Sequence, residues 1–314
     1  MRVQIYGAGI AGSYLFMLLR DHAEVGVKEI SKAVDCRCAW GIAYKQAKEL
    51  YNLVGIEFDD YVLSKPKLAI ANGIEMKNKN IVTFDRKKLL SDLWQEIEFK
   101  DVEADIQVDA TGTSRALLPN IEMDSIYFTV QSIEKHDFDE NIYAYGRRTG
   151  YAWAFPLGDK RWHIGAGDLN YERAAELVEE MRKFYGFSYS EKSCYCKAKI
   201  RMLPPSKCKP IVYKNIFGVG EAIGCVSGFG EGNAPSLECA KILADCINNS
   251  ELEEYEKRVL KNFKWIEVEH EFVRDLQRNK KLSALLKLPK IALIERKRSA
   301  TVNFSVTSLI RSLR

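Results

Sequence analysis

The sequence predicts an α/β fold in which a nucleotide-binding domain is interrupted by an antiparallel sheet and followed by a helical C-terminal region. Three observations carry this prediction. A glycine turn at residues 7–12 follows a short apolar run, and a second glycine-rich turn lies at residues 218–233. Between them, several segments alternate apolar and polar residues as antiparallel strands do. Nucleotide-domain segments so far apart in the chain indicate a domain assembled around an insertion.

The first glycine turn has the strand–turn–helix context that a dinucleotide-binding motif requires. An apolar run at residues 3–6 leads into Gly7-Ala8-Gly9-Ile10-Ala11-Gly12, and residues 13–19 continue as an apolar helix. In such a motif Gly7 permits a tight turn, Gly9 lets the backbone approach a pyrophosphate, and Gly12 lets the helix pack on the strand. The helix N-terminus at Ile10 and Ala11 would hold the pyrophosphate. Glu29, at the end of the next predicted strand (24–30), has the spacing of a ribose ligand.

The other elements are predicted from the spacing of apolar residues and from the residues that cap helices or form turns. Helices are predicted over 44–53, 85–94, 172–185 and 236–248, with Asp85 as the cap of the second. Residues 56–84 are predicted to form short strands with turns at 72–73 and 78–80. Further strands are predicted over 104–109, 125–130, 141–145, 162–167, 197–202 and 216–220. Residues beyond 250 are predicted to be helical and increasingly basic.

Composition predicts a soluble globular protein, with 46% hydrophobic and 29% charged residues among 314. No apolar run approaches the roughly 20 residues needed to cross a bilayer. The N-terminal strand lacks the basic lead and cleavage site of a signal peptide. We therefore expect a cytoplasmic protein. The net charge of +4 hides an asymmetry, because residues 278–314 carry a net charge of +9 and the remainder about −5.

The eight cysteines and four histidines give no sign of a metal site or a catalytic triad. The two C-x-C pairs, Cys36 with Cys38 and Cys194 with Cys196, do not have the C-x-x-C spacing of common zinc sites. The interpretations left open are free thiols and a disulfide that involves Cys194, Cys196 or Cys208. The histidines are expected to be surface residues or satisfied core residues.

The second glycine-rich turn predicts the kind of dinucleotide. Its residues Gly218-Val219-Gly220-Glu221-Ala222-Ile223-Gly224 resemble the G-D-A-A-G fingerprint of the p-hydroxybenzoate-hydroxylase-like FAD proteins, with Glu221 in the place of aspartate. The resemblance implies that Gly220 and Glu221 contact the ribityl chain, and that Gly230, Gly232 and Asn233 approach the flavin. An interrupted domain of this kind is typical of FAD proteins of the glutathione-reductase type. The resemblance thus implies FAD as the cofactor.

An aromatic strand is predicted between the two turns. In Tyr151-Ala152-Trp153-Ala154-Phe155-Pro156 the three aromatic side chains fall on one face of a strand. Such a row is either core or the wall of a site. The segment is similar to the Y-x-W-x-F-P motif of the geranylgeranyl reductase family, which lines the cavity where an isoprenoid chain approaches the flavin. This similarity implies that Tyr151, Trp153, Phe155 and Pro156 contact substrate.

Other segments resemble the same family. Cys36-Arg37-Cys38-Ala39-Trp40-Gly41 is similar to its C-G-G segment beside the flavin, with Ala39 and Trp40 in place of the glycines. Cys38 is the better match to the family cysteine and Cys36 the second. Arg86 matches an arginine that contacts FAD, and Ala110-Thr111-Gly112 resembles the segment that closes over the adenine side. The resemblance covers about residues 1–250.

The resemblance implies an FAD-dependent oxidoreductase that reduces carbon–carbon double bonds of an isoprenoid lipid by hydride transfer from reduced flavin. Cys38 or Cys36 is the implied proton donor, and ferredoxin or NAD(P)H the implied electron donor. The alternatives are a monooxygenase or halogenase of the same fold and a non-catalytic isoprenoid-binding flavoprotein. The predicted FAD-binding domain comprises residues 1–115 and 205–250, the substrate-binding sheet 116–204, and the helical basic region 251–314.

The basic C-terminal region allows three interpretations. Its lysines and arginines form a solvated helical face, contact an anionic membrane surface, or bind nucleic acid. No recognised nucleic-acid-binding motif accompanies the charge, so no nucleic-acid partner is expected. A peripheral contact with the inner face of the membrane suits an enzyme whose substrate is a lipid.

Overall fold

The computed structural model describes residues 1–34, 37–147 and 149–297. The candidate catalytic residue Cys36 and the last part of the basic region, residues 298–314, lie outside the described residues.

The described residues form an α/β structure with three sheets. The strands are β1 (Arg2–Tyr6), β2 (Glu24–Lys28), β3 (Gly41–Ala43), β4 (Val62–Ser64), β5 (Leu68–Ala71), β6 (Ile74–Lys77), β7 (Ile81–Phe84), β8 (Ile106–Asp109), β9 (Ile126–Lys135), β10 (Ile142–Gly146), β11 (Tyr151–Pro156), β12 (Arg161–Asp168), β13 (Lys192–Arg201), β14 (Val212–Tyr213) and β15 (Ile216–Gly218). The helices are α1 (Ile10–Leu19), α2 (Tyr44–Asn52), α3 (Arg86–Gln95), α4 (Tyr171–Tyr185), α5 (Asn233–Asn248), α6 (Tyr255–Asn262), α7 (Lys264–Gln277) and α8 (Lys281–Lys297).

The first sheet is the nucleotide-binding sheet, with the order β14-β15-β8-β1-β2. Strands β2, β1, β8 and β15 are parallel, and β14 closes one edge in the antiparallel direction. The apolar helix α1 packs between this sheet and α5, which explains why nearly all of its residues are buried. Because parallel strands end at the same edge, the segments after β1, β8 and β15 meet there.

The second sheet carries the aromatic strand near its centre, in the order β13-β9-β12-β11-β10-β5-β6. Helix α4 covers one face, where Trp162, Ile164 and Met181 are buried. The strands β5 and β6 come from residues 68–77, within the first range predicted for the FAD-binding domain, and β5 pairs parallel to β10. The domain boundaries stay a prediction. A small third sheet, β3-β7-β4, lies beside β11, where Thr83 Oγ1 of β7 donates to the Pro156 carbonyl at 2.6 Å.

The C-terminal helices follow the nucleotide-binding domain. Helix α7 lies against the second glycine-rich turn. The carboxylate of its buried residue Glu269 accepts a hydrogen bond from the Gly228 N–H at 3.1 Å. Helix α8 packs on α7 through a small apolar cluster that includes Val268 and Phe272. In the part of the chain that the structure describes, no helix has the length and apolarity needed to cross a membrane.

The predicted fold class is confirmed, and differences concern the ends of elements. The helix predicted to begin at residue 236 begins at Asn233, so the glycine-rich turn leads into it directly. The strand predicted over 197–202 is longer, at Lys192–Arg201. Of the candidate disulfide cysteines, Cys194 is disulfide-bonded, Cys208 is a buried free thiol, and Cys196 accepts a hydrogen bond from the Gln131 side chain at 3.1 Å.

Candidate functional site

The three glycines of the first turn differ in what surrounds them. Gly7 has φ of +97°, and a Cβ there would press against the Ala110 carbonyl group. A Cβ at Gly12 would overlap the Gly7 carbonyl oxygen. A Cβ at Gly9, by contrast, would meet no atom of the described residues within 4 Å. The surrounding atoms therefore leave no room for a side chain at Gly7 or Gly12, whereas Gly9 borders open space.

The first turn of α1 faces this open space with its backbone. Helix α1 begins at Ile10 with Gly9 as its N-cap, and no side chain of the described residues caps it. The N–H groups at the start of a helix, here those of Ile10 and Ala11, have no acceptor within the helix. Glu29 lies beside the turn and accepts hydrogen bonds from the N–H groups of Ala8 at 2.7 Å and Ser31 at 2.8 Å. The N–H groups at the start of α1 suit an anionic group, and the fixed Glu29 carboxylate beside them can accept hydrogen bonds from hydroxyl groups.

The second glycine turn meets the first. Gly220 has φ of +63°, and a Cβ there would lie 3.0 Å from the Ala11 Cβ and 3.1 Å from the Ser236 Oγ. A Cβ at Gly112, which also has positive φ, would lie 3.8 Å from Oε2 of Glu221. The segments after β1, β8 and β15 thus form one cluster at the sheet edge.

The segment after β8 is held by its own aspartate. One carboxylate oxygen of Asp109 accepts from the Thr111 N–H at 3.2 Å and the Thr111 hydroxyl at 2.6 Å. The other accepts from the N–H groups of Leu117 and Leu118 at 2.9 and 3.0 Å. These bonds fix Ala110, Thr111 and Gly112 beside the first turn.

Glu221 is bound to a buried arginine that sequence reasoning did not identify. Oε1 of Glu221 accepts the Arg201 N–H at 2.8 Å, and the Arg201 guanidinium donates to the Glu221 and Thr113 carbonyls at 3.0 and 2.9 Å. The same guanidinium forms an ion pair with Asp124 at 3.0 Å. Arg201 is the last residue of a strand with an alternating pattern, and nothing in its local sequence marks the contact. Desolvation raises the pKa of the Glu221 carboxyl to about 7.

The Glu221 carboxyl should make the stability of the FAD-free protein depend on pH. Because its pKa is higher in the folded chain than in the unfolded chain, folding favours the protonated form. The contribution of Glu221 to wild-type stability should then fall as pH rises from about 4.5 through about 7. Glu221→Gln does not titrate, so we expect its unfolding free energy relative to wild type to rise by at most about 3 kcal/mol between pH 5 and pH 8. Urea unfolding at both pH values measures this difference, and equal differences would contradict it.

Arg86 begins α3 beside this cluster. Its helix is capped by Asp85, whose carboxylate accepts the Lys88 N–H at 2.9 Å, as the sequence predicted. The Arg86 Nε–H is buried and has no hydrogen-bond partner among the described residues. Buried N–H groups of guanidinium rarely remain unpaired in native proteins. An acceptor from a bound group would satisfy it.

The turn at residues 228–233 touches the aromatic strand. Gly230 has φ of +85°, and a Cβ there would overlap the Tyr151 hydroxyl. That hydroxyl donates to the Phe229 carbonyl at 3.1 Å, and burial raises the pKa of Tyr151 well above its usual range. Gly232 is the N-cap of α5, which has no side-chain cap within the described chain. The turn and the start of β11 therefore form one packed unit.

Asn233 joins α5 to the segment that holds Cys38. Its side-chain amide donates to the Gly41 carbonyl at 2.9 Å and to the Cys38 Sγ at 3.2 Å. Cys38 and Trp40 both have left-handed backbone, with φ of +78° and +60°, on either side of Ala39. Non-glycine residues of this kind cost roughly 1–3 kcal/mol and cluster at functional sites. The conformation at Trp40 is one that glycine adopts readily, consistent with a glycine in the similar family segment.

The aromatic side chains of β11 form a wall beside this segment. The rings of Tyr151 and Trp153 lie 5.5 Å apart, and a Cβ at Gly41 would lie 3.1 Å from the Phe155 ring. The Trp153 indole N–H donates to the buried His163 Nδ1 at 3.2 Å. Trp40 is also buried, with its ring centroid 6.1 Å from that of His163.

Most of the predicted site residues lie within these connected segments. Two stand apart in position: Pro156 is buried on the opposite face of β11, by strand alternation, and Cys36 lies outside the described residues. Sequence reasoning did not identify Arg201 or Glu269, because neither has a motif of its own and their partners lie far away in the chain. His163 is buried and accepts the Trp153 indole N–H, so it is a satisfied core residue, as the sequence predicted for a histidine.

No protein-family model matches the chain. The sequence is 26% identical over 337 residues to an uncharacterised protein of Methanocaldococcus jannaschii, and the match covers 88% of this chain and 92% of that protein.

Solved structures share the fold. A geranylgeranyl bacteriochlorophyll reductase-like protein from Thermoplasma acidophilum matches with a TM-score of 0.76 and 15% identity, over 99% of this chain and 95% of that one. PqsL of Pseudomonas aeruginosa, a probable FAD-dependent monooxygenase, matches with a TM-score of 0.66 and 17% identity, over 90% and 98%. A variant of Klebsiella pneumoniae HpxO complexed with FAD matches with a TM-score of 0.58 and 12% identity, over 91% and 99%. The predicted fold of the FAD-dependent flavoproteins is thereby confirmed.

Proposed function

We propose that this chain binds FAD and is an FAD-dependent oxidoreductase. The observation that carries the proposal is the meeting of the two glycine turns at one sheet edge, with open space at Gly9 and an unpaired guanidinium N–H at Arg86. The N-terminus of α1 would hold the diphosphate, and Glu29 the adenosine ribose. Glu221 would accept hydrogen bonds from the ribityl chain. The residues present fit such a group, because Gly9 borders open space and the buried Arg86 Nε–H has no hydrogen-bond partner among the described residues.

We further propose that the substrate is an isoprenoid lipid whose carbon–carbon double bonds are reduced. Bound FAD would supply the two-electron chemistry of this reduction. The row of Tyr151, Trp153 and Phe155 offers apolar area and π-faces, which suit a polyene that has few polar groups to recognise. The His163 contact holds the Trp153 ring in one orientation. A wall fixed in this way would position the alkene and exclude water from it.

Cys38 is the residue to which we assign the proton that completes the reduction. Its thiol is half-buried, and its sulfur is held by the Asn233 amide at 3.2 Å. That contact leaves the S–H proton available to a bound alkene carbon. The left-handed backbone at Cys38 sets the direction of the side chain.

A direct test begins with the visible spectrum of the purified protein, which should be that of a flavoprotein. The flavin is then reduced without oxygen and mixed with a geranylgeranyl lipid, and we expect reoxidation together with a saturated product. Reoxidation by oxygen with hydroxylated or halogenated product would favour the monooxygenase or halogenase alternative instead. Reoxidation by no prenyl lipid would favour a non-catalytic binding protein. Ferredoxin and NAD(P)H are compared as electron donors in the same assay.

Replacement of the Cys38 thiol should separate binding from reaction. We expect Cys38→Ser to keep FAD with an unchanged dissociation constant and to lower the rate of alkene reduction by 100-fold or more, in the range of general acid catalysis. Cys246→Ser, at a buried thiol of α5, serves as the matched control and should keep wild-type rates. A normal rate in Cys38→Ser would remove this cysteine from the mechanism.

A further inference from the structure

Helix α8 has two apolar faces, and only one of them packs against other residues that the structure describes. Ala284, Leu288 and Ile291 are buried in the cluster with α7. Leu282 and Leu286 are 73% and 76% exposed, and Leu293 is 52% exposed. Surface helices of globular proteins usually expose a polar face, so the exposed leucines require an explanation.

The exposed leucines form one stripe. At 100° per residue, Leu282, Leu286 and Leu293 fall within about 40° of one another around the helix, and the exposed Pro289 falls beside them. The packed residues lie on the opposite side. We call Leu282, Leu286, Pro289 and Leu293 the leucine face.

Positive charge borders the leucine face. Lys281 and Lys290 are exposed and lie on its two sides, about 100° and 80° from Leu282 around the helix. Lys287, nearer the packed side, forms an ion pair with Asp275. The sequence from 278 to 314 has a net charge of +9. An apolar stripe with lysines at its edges is the pattern of a helix that lies in the interface of an anionic membrane.

The leucine face belongs to the helix pair that touches the candidate site. The Gln277 side chain at the end of α7 donates to the Thr149 carbonyl at 3.3 Å, two residues before β11 begins. Phe272 of α7 contacts Phe229, which is 40% exposed, with ring centroids 6.2 Å apart. Helix α8 thus packs on a helix that contacts both the turn at residues 228–233 and the segment before β11.

We propose that the leucine face docks on an anionic lipid bilayer, from which the enzyme takes its substrate. The second part rests on the proposed function, whereas the docking does not. A second copy of this chain is a poorer occupant, because it would bring the same positive charges together across the contact.

The test compares vesicle binding by variants of the full chain. We expect wild type to co-sediment with vesicles of equal phosphatidylglycerol and phosphatidylcholine, and weakly with phosphatidylcholine alone. Leu282→Ser with Leu286→Ser should weaken binding about 100-fold, since each buried leucine contributes roughly tenfold. Lys281→Gln with Lys290→Gln should weaken binding to the anionic vesicles about 30-fold and reduce its salt dependence. Leu53→Ser, at a leucine that is 58% exposed after α2, is the control and should bind as wild type does.

Each other occupant gives a distinct result. Unchanged vesicle binding in the double leucine variant overturns the proposal. So does a wild-type dimer that the same variant converts to monomer while vesicle binding is absent. If the double leucine variant binds vesicles as wild type does but melts more than about 5 °C lower, another part of this chain covers the leucine face. The double leucine variant should reduce a short, water-soluble prenyl diphosphate at the wild-type rate, because this substrate does not have to be taken from a membrane. If wild type binds vesicles but reduces no prenyl compound, the proposed function is wrong and the proposed docking is still supported.

Discussion

We expect Gly9→Asp to weaken FAD binding roughly 1,000-fold while the protein remains folded and at least as stable as wild type. Gly9 has ordinary extended backbone, with φ of −72°, and a Cβ there meets no atom of the described chain within 4 Å. Aspartate is also among the preferred N-cap residues, so it should stabilise α1 by a few tenths of a kcal/mol relative to glycine. The same carboxylate would occupy the N–H groups and repel the diphosphate.

The expected loss of affinity is large. A carboxylate about 4 Å from one phosphate charge costs about 4 kcal/mol at an effective dielectric constant of 20, which corresponds to roughly 1,000-fold in Kd. FAD titration of the apoprotein, followed by quenching of flavin fluorescence, measures this loss, and thermal unfolding checks the fold. Gly9→Asn caps the helix without the charge and should weaken binding less. Wild-type FAD affinity in Gly9→Asp would show that no diphosphate lies at this turn.

Gly12→Ala provides the contrasting case within the same motif. Its Cβ would overlap the Gly7 carbonyl oxygen and approach the Ala110 Cβ at 3.2 Å, so the damage falls on the packing of α1 against the sheet. We expect it to lose stability and cofactor together. Loss of FAD with unchanged stability is thus specific to Gly9.

The sequence was most informative where a structure is set by residues close together in the chain. The strand, turn and helix at residues 2–19, the Asp85 cap and the alternation in Tyr151–Pro156 all depend on local spacing. The structure places each of them as predicted. The structure also brings the ends of the parallel strands β1, β8 and β15 to one edge of their sheet, as parallel pairing requires.

Contacts between distant segments could not be predicted in this way. The β5 strand pairs in parallel with β10 across some 70 residues, and no turn sequence specifies that pairing. Arg201 reaches the Glu221 and Thr113 carbonyls through a side chain whose burial depends on the whole sheet. The left-handed backbone of Trp40 is similarly invisible in the sequence, because a bulky residue rarely adopts it.

The departure from the FAD fingerprint at Glu221 has a structural counterpart. The longer side chain places Oε1 on the Arg201 N–H at 2.8 Å, while Oε2 lies on the side of Gly112. Oε1 of Glu221 thus accepts a hydrogen bond from the protein, whereas Oε2 faces the segment at residues 110–112. The ribityl contact proposed for Glu221 is compatible with the longer side chain, because the backbone N–H of Arg201 in β13 holds one of its oxygens.

The second large effect is expected at Gly230, where the turn at residues 228–233 touches the aromatic strand β11. In Gly230→Ala the new methyl group overlaps the Tyr151 hydroxyl, and alanine is strained at φ of +85°. The two effects together should cost about 2–4 kcal/mol of unfolding free energy. FAD affinity should fall as well, because relief of the overlap moves the turn that we expect to approach the flavin.

The double variant Gly230→Ala with Tyr151→Phe should recover part of this loss. Without the hydroxyl, the nearest atom to the new Cβ is the Tyr151 Cζ position at 3.2 Å, which a small shift accommodates. Tyr151→Phe alone loses the bond to the Phe229 carbonyl and should cost about 1 kcal/mol. We expect the double variant to be about 1–2 kcal/mol more stable than the sum of the single effects predicts. Urea unfolding and FAD titration of all four proteins measure this coupling. Additive effects would mean that the turn and the aromatic wall move independently, and the wall could not then position a substrate against the cofactor through this contact.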